Sequence, residues 1–262
     1  MQFEINGESI FATTGGKDFD PTQPVLIFLH GAGFDHSVWN LQTRYFAHRG
    51  FSVLAVDFPG NGRSSGKTPS EIEHMADWVP KMMDGSGVKE ATLIGHSMGS
   101  LVALECAVRH PQRVRSISLL GASEKMPVHP DLLEAAKRND PLAYQLVCSW
   151  GLGRRGHMGG APMPGMSLMG SGLSLMASVF NDALGAGLEA CHQYLSGEES
   201  AKKVQCSSMV IAGSQDKMTP SAKGQKLAEL IKNCKLEILS ECGHMMMLED
   251  SKACLDALKK NI

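Results

Sequence analysis

The 262-residue sequence lacks a strong excess of charge of either sign. Its 25 lysines and arginines are matched by 27 aspartates and glutamates, which gives a formal net charge of −2. Charges of both signs are interspersed, so there is no basic patch or arm of the kind that binds nucleic acid. No apolar run approaches the roughly 20 residues that a membrane-spanning helix needs. We therefore expect neither a nucleic-acid nor a membrane partner.

Patterns that would indicate a metal centre or a disulfide framework are also missing. The seven cysteines, an odd number, include no C-x-x-C pair, and the sequence has no H-E-x-x-H segment. Several cysteines lie in apolar runs, which is typical of buried free thiols in a reducing compartment. The opening residues 1–16 do not combine a basic region with an apolar one, as a secretory signal would. We expect a cytoplasmic protein that needs no metal or organic cofactor.

Short apolar runs that alternate with helical patterns are abundant. Six of them are near-continuous, as strands covered on both faces are: VLIFLH (25–30), FSVLAVDF (51–58), ATLIGH (91–96), VRSISLLG (114–121), SMVIAG (208–213) and KLEILSE (235–241). Two shorter alternating segments near the start predict an antiparallel edge hairpin that turns at Asn6-Gly7. The pattern predicts an α/β fold, with a mostly parallel eight-stranded sheet and helices on both faces.

The alternation of strands and helices stops between residues 122 and 201. We interpret this stretch as a helical cap inserted into a core formed by residues 1–121 and 202–262. Its segment 153–172 is rich in glycine and methionine, and a disordered loop is the alternative interpretation there. Against disorder, five apolar residues recur at steps of three and four, which define one helical face: Met166, Met169, Leu173, Met176 and Phe180.

The heptapeptide IGHSMGS (94–100) carries the strongest indication of chemistry. Ser97 directly follows a predicted strand and precedes a predicted helix, so it occupies a sharp corner with its hydroxyl exposed. Gly95 and Gly99 flank it at two residues on each side, where the turn leaves no room for side chains. The start of the helix also places backbone N–H groups near any developing anion. The context predicts a nucleophilic serine.

A serine hydroxyl needs a base, and the base needs a partner that fixes its tautomer. His244 follows the predicted strand 235–241 in the turn ECGH, where Gly243 lets the backbone pass closely. His96 adjoins Ser97, but adjacent residues of a strand face opposite sides, which makes it a poor base for its neighbour. We therefore predict that His244 is the base.

The acid that orients this base is expected after another strand at the same edge of the sheet. Asp216 lies three residues beyond the predicted strand 208–213, before a helix that Pro220 opens. Asp57 also follows a strand and is the alternative. We favour Asp216, because the turn around Asp57 is typical of a structural loop in which the aspartate and Arg63 fasten the backbone.

Five motifs, each after a predicted strand, resemble those of the α/β-hydrolase superfamily in their order along the chain: HGAG (30–33), DFPGNGRS (57–64), GHSMG (95–99), GSQDKMTP (213–220) and GHMMMLE (243–249). They span about residues 25–250, whereas the segment 122–201 matches only in place and size. The resemblance is to the serine esterase-like branch with a helical cap. Dehalogenases and epoxide hydrolases of this fold use an aspartate where this chain has Ser97.

The resemblance implies a triad of Ser97, Asp216 and His244, in the chain order of these enzymes. It also implies an oxyanion hole formed by two backbone N–H groups, those of Met98 and Ala32. The small residues of the HGAG loop agree with this role, because they allow its amides to approach a substrate oxygen.

The expected activity is that of a carboxylesterase that cleaves small to medium uncharged esters through an acyl-enzyme. Phe34, Trp39 and Met245 are the candidate substrate-binding residues. Methionines are frequent in the predicted cap and suit an adaptable apolar pocket, although each one also fits a core position: Met126, Met158, Met163, Met166, Met169 and Met176. The same triad could serve a lactonase, thioesterase, perhydrolase or C–C bond hydrolase. A small-ligand receptor of this fold is the alternative outside catalysis.

Overall fold

The apolar runs form one eight-stranded sheet in the computed structural model, which describes residues 1–160, 165–178 and 182–262. The strands are β1 (Gln2–Ile5), β2 (Glu8–Thr13), β3 (Val25–Leu29), β4 (Ser52–Val56), β5 (Ala91–His96), β6 (Val114–Leu120), β7 (Ser207–Gly213) and β8 (Lys235–Leu239). Their order across the sheet is β1-β2-β4-β3-β5-β6-β7-β8. The pairs β1–β2 and β2–β4 are antiparallel and the other pairs are parallel. The predicted α/β fold with a mostly parallel sheet is confirmed.

The hairpin of β1 and β2 turns at Asn6 and Gly7, as predicted. These residues have positive φ values of 52° and 82°. A two-residue type I′ turn requires positive φ at both central positions, which asparagine and glycine tolerate. The local sequence therefore fixes the register in which Ile5 pairs with Glu8.

The centre of the sheet is covered on both faces, whereas one edge is not. Every residue of β3, β4 and β5 is buried, as the continuous apolar runs predict. In β8 only Leu239 is buried, and Ile238 is 47% exposed. The expectation of cover on both faces is therefore wrong for β8, which is the last strand at this edge of the sheet.

Helices connect the strands. In chain order the described helices are α1 (Asn40–Ala47), α2 (Ile72–Gly85), α3 (Met98–Arg109), α4 (Pro130–Lys137), α5 (Pro141–Gly151), α6 (Arg154–His157), α7 (Leu168–Ser178), α8 (Ala183–Gln193), α9 (Gly197–Lys203), α10 (Ser221–Leu230), α11 (Met246–Glu249) and α12 (Ser251–Leu258). None of them combines the length and the apolar character that a bilayer-spanning helix needs.

Helices α4 to α9 lie in the connection between β6 and β7. We call residues 122–201 of this connection the insert; its last helix, α9, continues to Lys203. Within it α4 packs on α5 and α8, and α5 packs on α7. Helices α8 and α9 reach the core, where both pack on α3. The insert therefore meets the sheet edge at which β5, β6 and β7 end.

Helix α7 occupies most of the segment in which the apolar spacing predicts a helical face. It buries Leu168 and Met176, while Met166 precedes the helix and is exposed. Phe180, the last member of the predicted face, lies outside the described residues. The helical interpretation therefore holds for residues 168–178.

Candidate active site

Ser97 stands at the corner where β5 ends and α3 begins. Its φ of 52° and ψ of −116° lie outside the regions that L-residues normally adopt. A Cβ on Gly95 would collide with the carbonyl oxygen of Gly99, so the turn requires glycine there. The Ser97 N–H donates to the carbonyl of Leu120 at 2.8 Å and fastens the corner to β6. The Ser97 side chain does not cap α3, which leaves its hydroxyl available for chemistry.

A buried carboxylate and an imidazole meet near this corner. Asp216 follows β7 and His244 follows β8, and 2.8 Å separates His244 Nδ1 from Asp216 Oδ2. Asp216 also accepts the N–H groups of Met218 and Thr219, both at 2.8 Å, and the Thr219 hydroxyl at 2.7 Å. Burial raises the pKa of Asp216, but His244 and these hydrogen bonds outweigh it, so the net pKa is lowered. Asp216 is therefore held as a carboxylate.

The carboxylate determines which nitrogen of His244 carries the proton. Because a carboxylate only accepts hydrogen bonds, the proton of the neutral ring lies on Nδ1, and Nε2 keeps its lone pair. Ser97 and His244 line the same cavities. Within the described residues no hydrogen bond joins the Ser97 hydroxyl to the ring, a contact that commonly tightens when substrate binds. The ring can act as a general base.

His96 supports His244 and is not placed to act as the base. Its Nε2–H donates to the backbone carbonyl of His244 at 3.0 Å, and the two ring centroids are 4.7 Å apart. Burial, followed by the charge of His244, lowers the pKa of His96 to about 3, so this ring stays neutral. Its Nδ1 is buried and has no partner among the described residues. This supporting role was not predicted from the sequence.

Two further contacts of His244 were also missed. Thr219 Oγ1 lies 3.2 Å from His244 Nδ1 as well as bonding Asp216. Gly121 directly follows β6 with a φ of 58°, and a Cβ there would lie 2.9 Å from His244 Cε1 and Nδ1. A glycine at the end of a predicted strand was the available signal for the second contact, since it marks a close approach.

Asp57, the alternative acid, fastens a loop instead. It accepts the backbone N–H groups of His36 at 2.7 Å and of Arg63 at 2.9 Å, and its carboxylate lies 2.8 Å from His36 Nδ1. Burial lowers the pKa of His36, but the hydrogen bond and charge of Asp57 outweigh it, and the net pKa is raised. Asp35 completes a cluster whose oxygen and nitrogen atoms lie within 4.8 Å of one another. The ion pair between Asp57 and His36 explains why these side chains lie close together.

The HGAG loop lies beside Ser97 and is braced by its own histidine. His30 Nδ1–H donates to the Gly31 carbonyl at 2.8 Å, and His30 Nε2 accepts the Phe58 N–H at 3.1 Å. Burial lowers the pKa of His30 despite the nearby charge of Asp57, so both bonds are those of a neutral ring. The loop is thereby held in one conformation.

The backbone N–H groups of Ala32 and Met98 donate to no other protein group within the described residues. Both residues are buried. Helix α8 of the insert passes directly over them, because a Cβ on Gly187 would lie 2.8 Å from Ala32 Cβ and 3.0 Å from Met98 Sδ. Two free donors near the serine and shielded from water can stabilise an oxyanion.

A cavity of about 380 Å³ opens onto Ser97 and His244. Its apolar lining comes mostly from the insert: Met126, Pro127, Val128, Leu132, Trp150, Leu188 and Cys191. The exposed residues His129 and Lys217, together with Met218 and Thr219, line the rest of the cavity. A smaller pocket beside Ser97 is lined by Phe34 and Met245, among others.

The expectation that Trp39 lines the substrate pocket is wrong. Its side chain is completely buried, and its ring centroid lies 5.3 Å from that of Phe28 in β3. The short 3₁₀ helix His36–Trp39 turns this ring into the core.

Few of the insert methionines belong to the cavity. Within the described residues only Met126 of the predicted group lines the cavity that holds Ser97 and His244. Met158 and Met166 are exposed, and Met176 is buried in the core. Met163 lies outside the described residues. The methionine-rich composition therefore identified one residue of this cavity, Met126.

The chain matches the family described as alpha/beta hydrolase fold over residues 24–251. It belongs to the α/β-hydrolase family, as the motifs predict. A solved structure of the enol-lactonase from Burkholderia xenovorans superposes with a TM-score of 0.87 at 19% identity, covering 98% of both chains.

The chain is also similar to individual members of this family. It is 28% identical over 251 residues to a pimeloyl-[acyl-carrier protein] methyl ester esterase of Aromatoleum aromaticum, covering 88% of this chain and 95% of that protein. It is 28% identical over 254 residues to 3-oxoadipate enol-lactonase 2 of Acinetobacter baylyi, covering 93% and 88%. It is 26% identical over 245 residues to a dihydrolipoyllysine-residue acetyltransferase component of the acetoin cleaving system of Cupriavidus necator. That match covers 90% of this chain but only 63% of the length of the relative. The protein is an enzyme of this family that acts on ester bonds.

Proposed function

We propose that the protein is a carboxylesterase that hydrolyses small to medium uncharged esters through an acyl-enzyme intermediate. One observation carries the proposal: the strained Ser97 shares an apolar cavity with the ring of His244, whose Nδ1 lies 2.8 Å from the carboxylate of Asp216. These three side chains come from distant parts of the chain, and their chemistry supports the roles of nucleophile, base and orienting acid.

In the first step the Ser97 hydroxyl oxygen attacks the ester carbonyl while His244 Nε2 takes its proton. The negative charge moves to the carbonyl oxygen, which accepts hydrogen bonds from the Ala32 and Met98 N–H groups. Asp216 stabilises the imidazolium that forms. His244 then returns the proton to the departing alkoxide as the C–O bond breaks, which leaves an acyl ester on Ser97 and a free alcohol.

In the second step a water molecule replaces the alcohol. His244 takes a proton from the water, whose oxygen attacks the acyl carbonyl to form a second oxyanion at the same two N–H groups. Collapse of this intermediate releases the carboxylic acid and returns the proton to Ser97. The sequence of steps consumes one water for each ester bond.

The cavity supports the proposed substrate class. A volume of about 380 Å³ accommodates a small to medium organic ester. The lining is mainly apolar, and the exposed side chains of Lys217 and His129 contribute polar ends to it. Because burying a charged group without a partner is costly, an uncharged ester suits the interior of this cavity.

A panel of p-nitrophenyl esters of increasing acyl length, with lactones and thioesters included, tests the proposal. We expect multiple turnovers on the short and medium esters. Ser97→Ala removes the nucleophile and should lower kcat on the order of 10⁶-fold. Faster turnover of a lactone than of any open-chain ester would favour the lactonase alternative. A single burst of p-nitrophenol without turnover would contradict the esterase and favour the receptor.

A further inference from the structure

The backbone of His244 is held from two directions, one of which is the insert. Its N–H donates to the carbonyl of Gly151, the last residue of α5, at 2.6 Å. Its carbonyl accepts from His96, and its Nδ1 meets Asp216. Every polar atom of His244 except Nε2 thus has a partner, and one partner belongs to residues 122–201.

Glu249 joins the same two segments. Its carboxylate accepts the N–H of Gly153 in the insert at 2.8 Å. It also accepts the N–H of Gly243 at 3.0 and 3.1 Å and that of Met245 at 3.1 Å, on the two sides of His244. We call this arrangement of Glu249, Gly153, Gly243 and Met245 the front anchor.

The front anchor is a costly arrangement. Glu249 is 6% exposed, and within the described residues its hydrogen-bond partners are all backbone N–H groups, with no cation among them. Burial and the nearby charge of Asp216 raise the pKa of Glu249, and they outweigh the three N–H donors, which act in the opposite direction. Burying a carboxylate without an opposite charge is unfavourable. We attribute its presence here to the two backbone segments that it holds together.

The two joined segments also have no room to move separately. A Cβ on Gly153 would lie 2.8 Å from the Gly243 nitrogen and 2.9 Å from Glu249 Oε2. The carbonyl of Gly151 accepts from Met245 at 3.3 Å as well as from His244. Backbone therefore packs directly on backbone. A displacement of the end of α5 must be transmitted to residues 243–245, which we call the histidine loop.

We propose that Glu249 is a positioning residue that makes the end of α5 and the loop around His244 one unit, so that the insert sets the alignment of the imidazole with Ser97. Trp150, next to Gly151, lines the substrate cavity. The wall that contacts substrate and the ring that takes the proton therefore move together. This inference rests on the proposed function.

A second buried glutamate supplies a control at the other end of the insert. Glu105 in α3 accepts the hydroxyl groups of Tyr194 and Ser200, both at 2.7 Å, and is also 6% exposed. We call Glu105, Tyr194 and Ser200 the rear anchor. It ties down the same insert without contacting the histidine loop, so its loss should destabilise the protein without moving His244.

The test compares Glu249→Gln with Glu105→Ala in the full-length protein. In Glu249→Gln an amide NH₂ replaces one accepting oxygen, so a donor faces the backbone N–H groups that this oxygen accepts in the wild type. We expect faster hydrogen–deuterium exchange in peptides covering 150–154 and 242–246, and a kcat for p-nitrophenyl butyrate that falls about tenfold with KM nearly unchanged. Glu105→Ala should lower the free energy of unfolding while kcat and exchange of these peptides stay near wild type.

Two results would overturn the proposal: wild-type exchange of both peptides in Glu249→Gln, or equal losses of kcat in the two variants. If Glu249→Gln does not fold, Glu249→Asp keeps the charge and withdraws it by one methylene, and the same two readouts apply. Absence of ester turnover in the wild type would contradict the proposed function instead. The exchange measurement would then still decide whether Glu249 joins the two segments.

Discussion

The front and rear anchors hold the same insert with a buried glutamate each, but they use different bonds. Glu249 binds backbone N–H groups, whereas Glu105 binds the hydroxyls of Tyr194 and Ser200. A bond to the backbone fixes the path of the chain whatever side chains it carries, and a bond to a hydroxyl is lost with that side chain. The difference suggests that the front anchor defines geometry and the rear anchor contributes stability.

Among the residues around the two anchors, the largest effect should come from the acid that pairs with His244. Asp216→Asn keeps the size of the side chain but removes the charge that fixes the tautomer of His244, and kcat should fall on the order of 10⁴-fold. Asp57→Asn is the matched control, because Asp57 also follows a strand but bonds His36 and not His244. Steady-state kinetics on p-nitrophenyl butyrate measure both. Equal losses in the two variants would remove Asp216 from the mechanism.

A smaller effect is expected where α8 packs on Ala32 of the HGAG loop. In Gly187→Ala the new methyl group would meet Ala32 Cβ at 2.8 Å and push α8 or the loop aside. Because the two N–H donors act only in the right position, kcat should fall about tenfold.

Helix propensity gives Gly187→Ala a distinctive signature. Alanine is favoured over glycine in a helix by about 1 kcal/mol, so activity should fall without a matching loss of Tm. Gly170→Ala on α7 is the control, since among the described residues its Cβ would meet only the side chain of Ser167. Wild-type kcat in Gly187→Ala would show that the packing of α8 does not determine the position of the HGAG loop.

At the rear anchor we expect an effect on stability alone. Tyr194→Phe removes a hydroxyl that bonds the buried Glu105, and the free energy of unfolding should fall by about 1–3 kcal/mol. Urea unfolding measures this loss, and kcat should remain that of the wild type. A kcat that falls as far as in Glu249→Gln would erase the distinction between the two anchors.

The smallest effect is expected on the pH dependence of stability, and it arises from His96, which donates a hydrogen bond to the carbonyl of His244. The pKa of His96 is about 3 in the folded protein and about 6.5 in an unfolded chain. Between these values the unfolded state binds the additional proton, so stability is complete above about pH 6.5 and is lost as the pH falls toward 3. One such group contributes a slope of at most about 1.4 kcal/mol per pH unit.

His96→Gln tests this contribution, because its amide can still donate to the His244 carbonyl but does not titrate. Urea unfolding at pH 6.5, 6 and 5 should show a shallower loss of stability in the variant than in the wild type. Identical slopes would mean that His96 is not kept neutral by burial. His30 also has a lowered pKa in the folded protein, so part of the slope should remain in His96→Gln.

The fold could be predicted because it depends on local patterns. Continuous apolar runs identify β3, β4 and β5, and Asn6-Gly7 identifies the hairpin. Ser97 could be placed for the same reason, since its flanking glycines and its position between a strand and a helix are all local. His244 and Asp216 were chosen because the carboxyl ends of parallel strands share one edge of the sheet.

The contacts that organise the site could not be predicted, because they join distant parts of the chain. Glu249 and Gly153 are 96 positions apart, and nothing near either residue indicates the other. Trp39 was misassigned because closeness to the HGAG loop in sequence does not determine which way a ring points. The insert was predicted as a helical cap, but its packing on α3 was not, since that packing depends on tertiary contacts.

The backbone at Ser97 has a consequence for the history of this chain. A serine held at a φ of 52° is strained by about 1–3 kcal/mol, and glycine would relieve that strain. Random substitution alone would therefore favour loss of the hydroxyl, and a lineage that no longer needed the reaction should drift toward glycine at this position. Ser97 therefore carries a conformational strain that the stability of the fold does not require.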